Sequence, residues 1–406
     1  MLDKEIWLWL ALHFGAGSTI YQKLYSHFGN VQAIYDCADA DADLIEWLPS
    51  HHKRKLLDKN LDHAHEIMDW CDRYDVNIVT PADDDYPMPL RAIKNYPAAL
   101  YYKGTLPDFE KELAISVVGT RSNTEEGRNN AYNLGFGLAK GGAIVVSGMA
   151  RGIDGIAQKG ALYAGGFSVA VLGCGIDVVY PKENIALMNK LMRVGAVMTE
   201  FPPKTPPNGT NFPIRNRIIS ALSVATVVVE ADLNSGALIT ARLALEQGKD
   251  LFAYPGPVNW HTAKGTNRLL SEGAKVATAA IDVLEQYMDR FPSINLSASK
   301  ERPVFPKKSN KVASGSFSEE KFYSNLIPTE NNRTRQVNND VKEPFDVNVL
   351  NDKERFIYNS MEFNKPVSLD FFANLDFEVA ELATTLTLME IKGAIENVPG
   401  GFYIKK

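Results

Sequence analysis

The chain has 406 residues, 45% of them hydrophobic and 23% charged, with a formal net charge of −6. That length predicts two to four folded units, and the composition is that of a water-soluble globular protein. The acidic balance excludes a generally sticky basic protein, so any anion-binding site must be a local patch.

Residues 1–75 are predicted to be helical. Trp7, Leu8, Leu10, Ala11 and Phe14 recur at helical spacing, and Gly15-Ala16-Gly17-Ser18 separates them from a second apolar helix at 20–28. Helix, Gly-x-Gly, helix is the form of a helix–hairpin–helix, whose turn amides can touch DNA phosphates; packing alone is the alternative reading of the same turn. Asp36, Asp39, Asp41 and Asp43 follow as an acidic stretch that would repel DNA. The run 6–14 is apolar but too short for a membrane span, and no basic leader precedes it, so no membrane association is expected. Cys37, Cys71 and Cys174 are too scattered for a zinc ribbon or a disulfide frame, which fits a reducing cytoplasm. His51-His52 and His63-x-His65 lack helical metal spacing, so no metal and no cofactor are expected.

Residues 76–112 are turn-rich and read as a lead-in to the next unit, with a short extended run at 100–103. From 113 to 288, strand, glycine turn and helix alternate. Strands are predicted at 113–118, 143–147, 168–172, 196–200, 226–230 and 250–254, with helices at 127–140, 153–163, 184–194, 218–222, 237–247 and 265–272. That alternation predicts an α/β fold: an extended Rossmann-like, doubly wound, mostly parallel sheet covered on both faces. Ligands in such sheets bind beyond the carboxyl ends of the strands. Residues 289–346 are rich in Pro, Ser, Asn and Lys and read as a flexible linker. Periodicity restarts at 347–406, where three helices, at 355–362, 369–373 and 379–389, and a hairpin around Pro399-Gly400-Gly401 predict a winged-helix-like domain. Its recognition-helix position, 379–389, has Glu381 within it and Glu390 just after it, with no Arg or Lys, so protein contact is as good a reading as DNA contact.

Four strand-end loops carry the chemistry: Gly119-Thr120-Arg121, Ser147 to Asp154 with Arg151, Gly173 to Asp177, and Asp232 to Gly236 with Ser235. Glycines let the backbone approach a ligand, and the amides opening the next helix favour an anion. Phe212-Pro213-Ile214-Arg215-Asn216-Arg217 is odd as a helix start, because the macrodipole disfavours Arg there. Presenting the guanidinium forks to a phosphate is one explanation, and pairing with acids such as Glu200 or Glu230 is the other. Gly173-x-Gly175 is followed by Val178, so the dinucleotide fingerprint is not clean, and a polymeric anion bound across several loops fits better than a lone nucleotide.

The segments 147–162, 169–184, 212–223, 228–256 and 264–274 together resemble the DNA-processing protein A (DprA/Smf) family, in order and across the whole central unit. The resemblance implies single-stranded DNA binding, homodimerisation through the Rossmann-like domain, and recruitment of RecA recombinase in natural transformation, without catalytic turnover. It also implies a sterile-alpha-motif-like N-terminal domain and a winged-helix C-terminal one. Carried over onto matching positions, Gly119 and Arg121, Ser147 and Gly148, and Phe212, Arg215, Asn216 and Arg217 would contact DNA, with Phe212 holding a base. Arg151, Lys182, Ser235, Gly236 and Lys264 complete the expected set. Gln158 stands where the family commonly has His, and Asn234 where a basic residue is common. Two other readings stay open. A nucleotide-processing enzyme of the lysine-decarboxylase-fold group would need a PGGxGTxxE loop, whereas Pro255-Gly256-Pro257 continues as Val258-Asn259-Trp260; a winged-helix regulator would use the central unit as a sensor.

Overall fold

Runs of small and β-branched residues, too short for helices and apolar on both faces, form the centre of a nine-stranded sheet. In the computed structural model, residues 2–303 are described, together with 350–361, 367–368, 394–398, 402–405 and seven positions between 382 and 392. The strands are β1 (Asn77–Val79), β2 (Leu100–Gly104), β3 (Ala114–Val118), β4 (Ile144–Ser147), β5 (Ser168–Val171), β6 (Ala196–Thr199), β7 (Ala225–Val228), β8 (Asp250–Ala253) and β9 (Lys275–Val276). Their order is β1-β2-β6-β5-β4-β3-β7-β8-β9. Seven run parallel, with Ile115 paired to Val145 on one side and Ala225 on the other. The two lead-in strands are antiparallel, Tyr101 lying opposite Thr199.

Alternation across β3 assigns the two faces. Ala114 and Val118 join Ile218, Ile219, Leu222 and Ala241 on one side, while Ile115 and Val117 join Leu134, Leu138, Ala157 and Ala161 on the other. Helices Asn211–Ala221 and Ala237–Glu246 cover the first face; Glu125–Lys140 and Ile153–Tyr163 cover the second. Chain order reverses between β3 and β7, so the loops after these two strands diverge and leave a crevice at their carboxyl ends.

The six parallel strands expected from sequence all form. Strands β1, β2 and β9 were not expected as part of this sheet, being two to five residues long with weak alternation. Residues 289–303, assigned to the linker by composition, instead continue the core: Phe291 is buried, and a short helix, Leu296–Ser299, caps its own first turn through Asn295. The rest of the expected linker, 304–346, lies outside the described residues.

Six helices fill the N-terminal part, from Leu2–Phe14 to Asp62–Arg73, around Trp7, Trp9, Leu10, Tyr21 and Leu24. The Gly15–Ser18 turn is packed rather than presented. Gly17 has φ +72°, its N–H donates to Glu200 Oε1 at 3.0 Å, and an added Cβ would meet Ile214 at 2.8 Å. The turn amide is therefore spent on a carboxylate of the sheet domain, which is the packing alternative.

By compactness the chain divides into Met1–Leu326 and Ile327–Lys406. Within the second, helix Asp352–Ser360 is capped reciprocally by Asn351 and Glu354, and a small antiparallel sheet runs β10 (Val367–Ser368), β12 (Phe402–Lys405), β11 (Ile395–Val398) in spatial order. Ile357, Leu386, Met389 and Ile395 form its core, and Glu354 pairs with Lys392 at 2.6 Å. The expected hairpin strands pair Val398 with Phe402, while the expected helix at 369–373 and the turn 399–401 lie outside the described residues.

Candidate nucleic-acid interface

A cleft of about 650 Å³ opens where the loops after β3 and β7 part, lined by Gly119 to Arg121, Asp154, Tyr180, Phe212, Asn216 and the Asn234–Gly236 turn. Its floor follows from the burial of Arg215. This residue lies one turn inside helix Asn211–Ala221, which starts seven residues earlier than the apolar pattern suggested. Pro213 sits in the first turn, where a missing N–H costs nothing.

Arg215 is 3% exposed. Its Nη1 donates to the carbonyls of Gly148, at 2.9 Å, and Val171, tying together the ends of β4 and β5. Gly148 must be glycine here, since a Cβ would come within 2.4 Å of the guanidinium. The Gly148 N–H donates to Asp154 at 3.2 Å, which sets an acid beside the Arg. Burial pushes the Asp154 carboxyl up despite Arg215, and pushes Arg215 down to about 10, still cationic at neutral pH. Met149, in the left-handed region at φ +53°, is held by Asn184, whose amide donates to its carbonyl at 2.9 Å.

Arg217 points the other way and is 2% exposed. Its Nη2 donates to both Glu200 oxygens, at 2.8 and 2.7 Å, and its Nε to the Asn95 carbonyl at 2.9 Å. The other acid considered, Glu230, accepts at 3.0 Å from the N–H of Thr124, the residue that caps helix Glu125–Lys140.

At the mouth, Arg121 is exposed with its guanidinium 4.9 Å from the centre of the Phe212 ring. The Tyr180 ring stands 5.4 Å from the same ring. Phe212 is thus a seat for a cation, which fixes Arg121 over the opening. Opposite, the amino end of helix Ala237–Glu246 opens on the cleft at Ser235 and Gly236, the Ser235 hydroxyl accepting from the Ala237 N–H at 3.3 Å.

The DNA recombination-mediator protein A model matches residues 77–288, just over half of the chain. The chain belongs to the DNA recombination-mediator protein A family. It is 36% identical to protein Smf of Escherichia coli over 70% of this chain and 75% of that protein. It is 40% identical to the DNA processing protein DprA of Streptococcus pneumoniae over 50% and 72% respectively. The X-ray structure of the latter superposes with a TM-score of 0.62 at 32% identity, covering 70% of this chain and 98% of that one.

The residues that the family resemblance marked, Gly119 to Lys264, all fall inside the matched span. Gly119, Arg121, Phe212, Arg215, Asn216, Ser235 and Gly236 converge on the cleft. Lys182 and Lys264 are exposed, the first on the turn that Asn184 docks against Met149, the second beside Gly265, whose N–H binds the Ala231 carbonyl behind the Asp232 loop. Arg151 is exposed and paired with Glu183, so part of its charge is already met. Four members of the expected set are engaged within the protein. The Ser147 hydroxyl is buried and donates to the Val117 carbonyl at 2.6 Å; Gly148 is buried against Arg215; Arg215 braces two strand ends; and Arg217 forms a buried ion pair away from the cleft. The Ser147 hydroxyl and the Arg215 guanidinium are spent on carbonyls, and the Gly148 N–H and Arg217 on carboxylates. Sequence reasoning missed Tyr180 and the Pro207–Gly209 rim; the signal for Tyr180 was its place in Tyr180-Pro181, directly after a glycine loop.

Proposed function

We propose that the cleft holds single-stranded DNA, and that the protein uses it to protect incoming strands and load RecA in recombination, without chemical turnover. The observation that carries the reading is the placement of Arg121: a planar cation, seated on Phe212, overhanging a cleft whose far wall is a helix amino end. Phosphates would meet Arg121, the positive amino end of helix 237–246, and the exposed Lys182 and Lys264. Such contacts address the backbone rather than base edges, so the binding would tolerate any sequence. A base would insert beside Tyr180 and Phe212, where stacking contributes about 1–3 kcal/mol.

The Ser147 and Ser220 hydroxyls donate to main-chain carbonyls, and Ser235, which lines the cleft, accepts from the Ala237 N–H, which supports binding over nucleophilic catalysis. Membership of a recombination-mediator family supports the RecA role. Homodimerisation through the sheet domain, and a winged-helix C-terminal unit used for protein contact, belong to the same reading. Among the described residues, no helix is long and apolar enough to cross a membrane. Gel shifts comparing single- and double-stranded oligonucleotides, followed by RecA filament assembly on the bound strand, test the proposal. Preference for duplex, or no effect on RecA assembly, would contradict it.

A further inference from the structure

A second concavity lies in the N-terminal part, between helix Ile20–Phe28, the Trp47 loop and residues 91–96, and encloses about 880 Å³. Its lining differs in kind from the cleft. Lys23, Arg91 and Lys94 supply cations, Tyr25, Trp47 and Tyr96 supply aromatic rings, and no carboxylate is part of the lining. In a chain of net charge −6 that is a local reversal of sign. The acids at 36–46 stand outside it.

Two of the aromatic rings, Tyr25 and Trp47, are accessible. Tyr25 stacks on the buried Trp7, with ring centres 5.6 Å apart and planes 24° apart, yet is 38% exposed. Trp47 is 41% exposed, with the Lys23 ammonium 5.7 Å from its ring centre. Lys23 and Lys94 form no ion pair among the described residues, and Arg91 gives one N–H to the Asp83 carbonyl while lying over the Tyr86 ring. Fixed aromatic faces beside unpaired cations match a single strand, whose bases stack while its phosphates pair. An acidic peptide would use the cations but leave the rings idle.

We propose that this groove is a second anchoring site for single-stranded nucleic acid, taking up the strand beyond the segment held in the central cleft. The inference rests on the proposed function of that cleft, and the two can fail separately. The connection between them is built in. Helix Asn211–Ala221 lines the cleft with Phe212 and Asn216, while its Arg217 bonds Asn95, next to Lys94.

Affinity for oligo-dT of about 6 and about 30 nucleotides should be measured on the full chain for wild type, Lys23→Glu/Lys94→Glu and Trp47→Ala. The groove variants should bind the short strand as wild type does and the long strand about tenfold more weakly, with the salt slope of Lys23→Glu/Lys94→Glu reduced by roughly 1.4. Thermal melting checks that each variant is folded; Trp47 and both lysines sit at the surface, and Lys23→Gln/Lys94→Gln gives a milder second pair. Equal long-strand affinity in all folded variants would overturn the proposal. So would polyglutamate displacing the long strand from wild type down to the variants' affinity, which would assign the groove to acidic peptides. Arg121→Glu distinguishes the two sites: loss of short-strand binding in that variant alone supports the cleft, whereas short-strand loss in the groove variants alone would sink the cleft reading and leave the groove as the primary site.

Discussion

Arg217 and Glu200 form a buried ion pair in which one nitrogen, Nη2, reaches both carboxylate oxygens at 2.8 and 2.7 Å. Gly17 N–H adds a third hydrogen bond to the carboxylate, and the Asn95 carbonyl takes the Arg217 Nε–H. One pair of charges therefore joins the N-terminal turn, the lead-in and the end of β6. Removing one partner leaves the other buried and unpaired, which costs far more than the pair contributes.

The first prediction follows directly. Arg217→Met should destabilise the chain by about 3–5 kcal/mol, and Arg217→Met/Glu200→Met should recover most of that loss. Urea denaturation of the single and double variants measures it. If Arg217→Met cost no stability and only weakened DNA binding, the bracing role would be wrong.

Gly148→Ala tests the floor of the cleft. The added methyl meets the Arg215 guanidinium at 2.4 Å, and that guanidinium is tied to the Gly148 and Val171 carbonyls. We expect about 1–3 kcal/mol of destabilisation, of the kind overpacking produces. Gly209→Ala, where an added Cβ meets nothing within 4 Å, is the control and should melt as wild type.

Phe212→Leu removes the ring under Arg121 while keeping the bulk. Single-strand affinity should fall by about 1 kcal/mol, roughly fivefold, with the melting temperature unchanged. Retained affinity would separate Arg121 from its seat.

Asp250 gives a pH test. Burial raises its carboxyl, but hydrogen bonds from Tyr287, at 2.5 Å, and Lys275, at 3.0 Å, outweigh burial and hold it below the ordinary range. A depressed folded-state value stabilises above the unfolded carboxylate range and is lost as pH falls through it. Asp250→Asn should therefore cost up to about 1 kcal/mol at pH 7, since the pair is partly exposed, and less at a pH below its depressed folded-state value. Equal losses at both pH values would exclude the linkage.

What sequence made legible, and what it hid, divides along physical lines. The parallel strands were readable because burial on both faces leaves near-continuous runs such as Ala114–Val118, which only a covered sheet can use. Convergence of Arg121, Phe212 and Ser235 was readable because loops at the carboxyl ends of parallel strands must share one end of the sheet. Hidden were β1 and β9 and the pairing of β2, whose extended run at 100–103 was legible but whose partners are distant in the chain. The orientations of Arg215 and Arg217 were hidden too. Residues two apart on a helix point about 200° apart, so one motif feeds the cleft floor and a buried pair on opposite sides. The helix start at Asn211 obscured this, since its first turn contains Pro213 and too few apolar residues to show a period.

Salt dependence of oligo-dT binding tests the central claim most directly, because it counts phosphate contacts residue by residue. Arg121→Ala, Lys182→Ala and Lys264→Ala should each flatten the log–log slope by about 0.7, while folded Arg217 variants keep the wild-type slope. Unchanged slopes in the three surface variants, or a slope lost through Arg217 instead, would contradict a strand held across this cleft.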